Sequence, residues 1–271
     1  VQSARYAVRH ERWQDVAIDV YYQPGHEYNL DRFVRGSKEA LEYYTKNFGP
    51  YQHKIVRIVE FPRYQTYAQS FPGTIPFSEG LGFVARVDDK NPKDLDYPFY
   101  VTAHEIAHQW WAHQVIGANV QGSTVLSESL AQYSALMVME KEYGKDKMRK
   151  FLKYELDRYL SDRGGELVEE QPLYRVENQQ YIHYRKGSMV FYRLREEMGE
   201  AALNRALSRF IADKAFQKPP YTTTKELLSF IRAEAKPEQQ TLLTDLFEKI
   251  SFYANRLETA SARKRADGRY D

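Results

Sequence analysis

The most informative absences in this chain of 271 residues are those of cysteine, of long apolar runs and of a large charge excess. Without cysteine the chain has neither a disulfide framework nor a thiolate metal site, and its redox compartment stays undecided. No apolar run approaches the roughly 18 residues that a membrane span needs, and no signal peptide is visible at the N-terminus. A formal net charge of +2 argues against a nucleic-acid partner or an anionic membrane surface.

Material for a hydrophobic core is plentiful, with 42 % hydrophobic residues, 22 tyrosines and 14 phenylalanines. Strand-like patterns dominate the first third of the chain, and helical periodicity dominates the rest. This order predicts an α+β fold that is mostly helical, with a small mixed sheet lobe beside a helical lobe. The predicted strands are residues 16–22, 54–61, 64–69 and 75–87, with a helix over residues 30–48 between the first two.

The same order predicts the domain organisation. We expect a strand-rich α/β lobe over residues 1–95 and a helical lobe over residues 96–250. Residues 251–271 turn polar after a short apolar start, which predicts the first part of a further β segment. The chain contains no internal repeat and no low-complexity linker.

The pentapeptide His104-Glu105-Ile106-Ala107-His108 carries the clearest chemical signal. We predict a helix over residues 97–117, with Asp96 as its cap. Two imidazoles four residues apart on a helix lie on one face and can bind one metal ion. The glutamate between them can then take a proton from a water beside the metal. A surface helix that carries two histidines by chance is the alternative.

A third metal ligand is predicted on the next helix, which we place over residues 127–143. Glu128 lies in its first turn among apolar neighbours, where a carboxylate needs a partner such as a metal ion. Stabilisation of an acidic side chain by the helix N-terminus is the simpler alternative. The histidines at 10, 26, 53 and 113 show no ligand spacing, and we expect His113 to face away from the metal.

These residues resemble the zinc signature of the gluzincin aminopeptidases, a family that includes the alanyl aminopeptidases and the leukotriene hydrolase-aminopeptidase. Nineteen residues separate His108 from Glu128, where that family usually has eighteen, so one residue is inserted between Gly117 and Ser123. The resemblance implies a thermolysin-like zinc peptidase domain. It assigns His104, His108 and Glu128 as ligands of Zn²⁺ and Glu105 as the general base.

Two further site residues follow from the same resemblance. Glu79 lies 25 residues before His104, where the family has a Gly-Ala-Met-Glu-Asn segment, so it is expected to bind the substrate's free α-amine. Tyr184 opens a Tyr-x-Lys-Gly match, and its phenol is expected to donate a hydrogen bond to the developing oxyanion. An exposed strand glutamate and a packing tyrosine are the respective alternatives.

The resemblance therefore implies an aminopeptidase that uses a zinc-activated water on peptides with a free N-terminus. The sequence around Trp110-Trp111-Ala112-His113 is most similar to that of bacterial members fused to ABC-transporter permease segments. The chain is therefore expected to belong to a larger membrane protein. Two alternatives stay open. One is a zinc endopeptidase without an amine anchor, and the other is a peptide-binding or sensory module without turnover.

Overall fold

The sheet lobe is built from four strands around one long helix. The computed structural model describes residues 3–91, 94–250, 259 and 261–270. Its sheet has the order β1-β2-β3-β4, in which β1 and β2 are antiparallel and the two other pairs are parallel. The strands are β1 (Ala7–Trp13), β2 (Val16–Tyr22), β3 (Ile55–Phe61) and β4 (Thr74–Ser78).

The predicted strand over residues 16–22 and the predicted helix over residues 30–48 agree with β2 and with α1, which spans Leu30–Phe48. Alternate β2 residues such as Ile18 and Val20 are fully buried, which is the pattern of a strand with one face on the core. Strand β1 was not predicted because its sequence AVRHERW lacks a buried alternation.

Seven further helices form the helical lobe, so the predicted fold class is confirmed. A helix in such a lobe buries one face and ends where glycine or a break in periodicity allows a turn. The helices are α2 (Tyr97–Ala107), α3 (Leu130–Tyr143), α4 (Met148–Gly165), α5 (Gly187–Met198), α6 (Glu200–Lys214), α7 (Thr224–Glu234) and α8 (Gln240–Phe247).

The edge of the sheet differs from the prediction in two places. Residues 64–69 do not form a regular strand, although residues 67–71, which we call the rim segment, pair with β4. The pairing is antiparallel: the Ser78 amide donates to the Tyr67 carbonyl at 3.0 Å, and the Gln69 amide donates to the Pro76 carbonyl at 3.1 Å. The strand predicted over residues 75–87 ends at Ser78, where a π-helical turn follows over Glu79–Phe83.

The helix predicted over residues 97–117 ends ten residues early, at Ala107. Asp96 does cap it, accepting a hydrogen bond from the Phe99 amide at 3.2 Å. Beyond His108 the chain turns sharply, and Ala112 has a φ of 120°, which a right-handed helix cannot contain. The turns bury both Trp110 and Trp111 completely, a burial that a continuous surface helix would not give to adjacent side chains.

One hydrophobic cluster runs through both lobes, from β2 and α1 to α8. Within this cluster the Tyr44 hydroxyl donates a hydrogen bond to the Ala103 carbonyl at 2.9 Å, which links α1 to α2. The lobe boundary at residue 95 stays a prediction. About half of the β segment predicted over residues 251–271 lies outside the described residues, and in the described half an antiparallel bridge joins Lys264 and Tyr270. In the described part of the chain, every helix is too short or too polar to span a membrane.

Candidate metal centre and active site

The two histidines of the pentapeptide meet at the end of α2. They lie one helical turn apart, both are buried, and their Nε2 atoms are 3.0 Å from each other. The Nδ1 atom of His108 lies 3.0 Å from the Trp111 carbonyl oxygen. Because a carbonyl oxygen only accepts, this nitrogen carries the proton, and the Nε2 lone pair points towards His104.

Glu128 completes a group of three converging side chains, which we call the metal triad (His104, His108 and Glu128). Its Oε2 atom lies 3.4 Å from Nε2 of His104 and 3.3 Å from Nε2 of His108. Glu128 lies in a π-helical turn, Val125–Ser129, that precedes α3. The inserted residue therefore does not move Glu128 away from the two histidines.

The metal triad fits a zinc ion in donor type and in spacing. Ligand atoms around a tetrahedral ion at about 2.0–2.1 Å lie about 3.3 Å apart, close to the three separations between the triad atoms. Oε2 of Glu128 is buried and makes no hydrogen bond. Three lone pairs therefore converge on one point, an arrangement that is costly without a cation between them. Two nitrogens and one oxygen are the donor set that zinc takes in open, catalytic sites.

Burial and charge set the protonation of the groups around this point. Burial raises the pKa of Glu105, as does the neighbouring Glu128 carboxylate, while the two imidazoles partly oppose the change. Burial works in the same direction on Glu128, but its pKa is held well below the ordinary range by His104 and His108. Glu128 is thus the fixed anion, and Glu105 is the carboxylate whose proton affinity is increased.

Tyr184 reaches the metal triad from a second π-helical turn, Tyr181–Lys186, which precedes α5. Its ring centroid lies 6.1 Å from that of His104. Burial raises its pKa and the negative charge of Glu128 raises it further, so the phenol stays neutral and keeps its proton. The start of α5 packs closely on the turn that carries Glu128: a Cβ at Gly187 would collide with the side chain of Ser129.

A cavity of about 450 Å³ opens in front of the metal triad. It is lined by the triad together with Glu105, Tyr184, Ser127, Ala112, His113 and residues 67–70 of the rim segment. The expectation that His113 faces away was wrong, because α2 ends before it and the following turn brings it back to the cavity. Sequence reasoning predicted a strand over residues 64–69 but missed that the rim segment belongs to the site, because its sequence carries no motif.

Glu79 lies in a different group, at the carboxyl edge of the parallel strands. Its carboxylate lies with His26 and Glu60, and these three residues are called the edge cluster. Its Oε1 atom accepts a hydrogen bond from the Arg63 amide at 3.2 Å. Glu79 is not among the residues that line the cavity, so the structure does not bring it together with the metal triad. Its expected role as amine anchor stays a prediction.

The cavity, the metal triad and the fold define a zinc metallopeptidase, and comparisons with known proteins agree. The Peptidase family M1 domain matches residues 33–249. The chain therefore belongs to peptidase family M1, whose members are enzymes that use zinc. None of the curated proteins compared with it matches.

Solved structures show the same fold. An M1 zinc metallopeptidase from Deinococcus radiodurans superposes with a TM-score of 0.66 at 20% identity, covering 92% of this chain and 52% of that one. A variant of an M1 zinc metallopeptidase from the same organism, bound to a Tyr-Ser-Ala substrate, gives a TM-score of 0.65 at 18% identity, covering 89% and 51%. The chain thus spans about half the length of these structures. Neither of these two structures is of a transporter, so the expected fusion to permease segments stays a prediction.

Proposed function

We propose that this chain is a zinc-dependent aminopeptidase that removes the first residue from peptides with a free N-terminus. The observation that carries the proposal is the convergence of three buried lone pairs beside Glu105 and Tyr184 in one open cavity. Membership of family M1 supports it, as does a solved relative with a Tyr-Ser-Ala substrate.

His104, His108 and Glu128 would hold the ion. When bound, zinc supplies Lewis-acid polarisation of the scissile carbonyl and makes a water more acidic. Glu105 accepts a proton from the attacking water, and its raised pKa makes it the better base of the two cavity glutamates. The same carboxyl then passes the proton to the leaving amine nitrogen, so the base is regenerated.

Tyr184 stabilises the negative charge that develops on the carbonyl oxygen. Its phenol remains protonated at neutral pH, since burial and Glu128 both raise its pKa. A neutral donor at a fixed position interacts more strongly with a developing oxyanion than with the ground-state carbonyl. The hydrogen bond therefore lowers the barrier rather than only tightening substrate binding.

The test compares a free aminoacyl anilide with its N-acetylated form, on protein with measured zinc content. An aminopeptidase hydrolyses the free form and ignores the blocked one. Turnover of both, at similar kcat/KM, would support a zinc endopeptidase instead. That second candidate is favoured by the position of Glu79, whose carboxylate belongs to the edge cluster and not to the cavity. Because solved relatives are about twice as long, any longer form of the protein is assayed in parallel.

Stoichiometric zinc without turnover of any peptide, in both forms of the protein, would support a peptide-binding or sensory module. The cavity argues against that alternative, because a module that only binds has no need of a buried carboxylate with raised proton affinity. Glu105 makes no hydrogen bond or ion pair that would give it a structural role among the described residues.

A further inference from the structure

One wall of the cavity is formed by the rim segment. It pairs with β4 on one side through a few hydrogen bonds, and a tight turn at Gly73, with a φ of 61°, leads from it into the strand. The positions of Ala68 and Ser70 relative to the metal triad therefore depend on contacts from outside the sheet.

Gln109 supplies these contacts, although it follows His108 directly in the chain. Its side-chain Nε2 donates to the Ser70 hydroxyl at 2.6 Å and to the Phe71 carbonyl at 2.9 Å. Its Oε1 accepts from the Gly73 amide at 3.0 Å. Both amide hydrogens and the amide oxygen are thus used, and all three bonds go to residues 70–73.

The site of these bonds is closed to water, since Gln109 is 1% exposed. Hydrogen bonds that are buried and fully satisfied hold their partners in one arrangement, because breaking any of them leaves an unpaired polar group. The main-chain carbonyl of Gln109 also accepts from the Gln52 side chain at 2.7 Å, which fixes the residue itself.

We propose that Gln109 is a positioning residue that sets the distance between the rim segment and the metal triad, and through it the binding of the peptide. The proposal rests on the proposed function, because it takes the rim segment as the wall against which the substrate lies. One amide side chain, adjacent to a metal ligand, links the metal end of α2 to the opposite wall. A change of one ångström there is enough to misplace a substrate.

Gln114 offers a matched control. It is also a buried glutamine in the turns after α2, 3% exposed, and its Nε2 donates to the Pro50 carbonyl at 3.0 Å and to Gln52 Oε1 at 2.7 Å. In the part of the chain that the structure describes, the Gln114 side chain makes no hydrogen bond to the rim segment. A general loss of packing should therefore affect Gln109→Leu and Gln114→Leu alike, whereas a positioning role should affect only the first.

The first measurement is steady-state kinetics on a free aminoacyl anilide and on a tripeptide. We expect Gln109→Leu to raise KM for the tripeptide roughly 10–100-fold, with zinc content unchanged and a smaller change in kcat. Gln114→Leu should leave KM within about twofold of wild type, because Gln114 reaches the rim segment only indirectly, through Gln52. Equal rises in KM for the two variants would overturn the proposal.

The second measurement does not need turnover, so it separates a failure of this inference from a failure of the proposed function. Hydrogen–deuterium exchange of the peptide covering residues 69–74 should accelerate in Gln109→Leu and not in Gln114→Leu. Unchanged exchange in Gln109→Leu would overturn the positioning role even if the wild type proved inactive.

Should Gln109→Leu fail to fold, Ser70→Ala removes one of the three bonds from the other side. We expect a smaller rise in KM in the same direction and faster exchange of residues 69–74. A double-mutant cycle of Ser70→Ala with Gln109→Met, which keeps the length of the side chain and removes its polar groups, should be non-additive in kcat/KM. Additive effects would contradict a shared contact.

Discussion

Among the described residues, two groups combine histidine with glutamate side chains, and they differ in what holds them together. In both, the metal triad and the edge cluster, three ligand atoms lie within 4.8 Å of one another. In the edge cluster Glu60 is already satisfied: Oε1 lies 2.5 Å from His26 Nδ1, and Oε2 accepts from the Gln23 amide at 2.5 Å. In the metal triad Glu128 Oε2 is buried without any hydrogen bond.

The comparison teaches that residue types and proximity do not define a metal site. A buried carboxylate that is satisfied by protein donors needs no ion, and an ion would have to displace those donors. A buried carboxylate oxygen that accepts no hydrogen bond needs positive charge beside it, which a bound cation or protonated imidazoles supply. We therefore propose zinc binding for the metal triad and a structural role for the edge cluster.

The largest expected difference is in metal content. Glu128→Gln removes one of three protein ligands, and we expect zinc binding to weaken at least about 100-fold, the upper end of the cost of losing a supporting partner. Glu60→Gln should keep one zinc ion per chain and instead lower the free energy of unfolding by about 1–3 kcal/mol, because a buried partner is left unpaired. The measurements are the zinc content and the urea unfolding of the two variants. Loss of zinc from Glu60→Gln would contradict the structural role of the edge cluster.

Glu105→Gln tests the carboxylate that lies beside the metal triad without joining it. We expect kcat to fall about 10²–10⁴-fold, the range of a lost general base, while zinc stays bound. The measurement is kcat together with zinc stoichiometry on the same sample. A variant that retains more than a tenth of the wild-type kcat would show that proton transfer runs through another group.

Tyr184→Phe removes one hydroxyl and preserves the ring. The loss of a single oxyanion donor costs about 10²–10³-fold in kcat, and KM should change little because the bond forms mainly in the transition state. The control is Tyr181→Phe, in the same π-helical turn, whose side chain does not line the cavity. If both variants lose activity equally, the effect comes from the turn and not from the oxyanion.

The parts of the fold and of the site that could be predicted are those determined by local sequence patterns. The helix over residues 30–48 follows from spacing along one face, and the pairing of His104 with His108 needs only one turn of helix. The end of α2 could not be predicted in the same way. It is set by the burial of Trp110 and Trp111 and by the positive φ of Ala112, which depend on the rest of the molecule.

The walls of the cavity depend even more on distant parts of the chain. The rim segment carries no motif that would connect it with the metal triad, and Gln109, more than thirty residues away in sequence, fixes it. Glu79 was placed by its distance in sequence from His104. The end of β4 instead places it beside the ends of β2 and β3, where parallel strands finish at one edge of the sheet.

Glu79→Gln is the substitution with the smallest expected effect. It tests whether Glu79 acts within the edge cluster or as the anchor of the substrate's amine. Since the carboxylate belongs to the edge cluster, we expect kcat/KM for a free aminoacyl anilide to change less than about tenfold, with no change in the preference over the acetylated form. A recognition role would instead raise KM for the free amine alone, because an ammonium group loses its charged partner. Kinetics on both substrates, with Glu60→Gln as the control from the same cluster, separate these outcomes. A selective effect in Glu79→Gln that is absent in Glu60→Gln would restore the amine anchor and show that the edge cluster reaches the substrate.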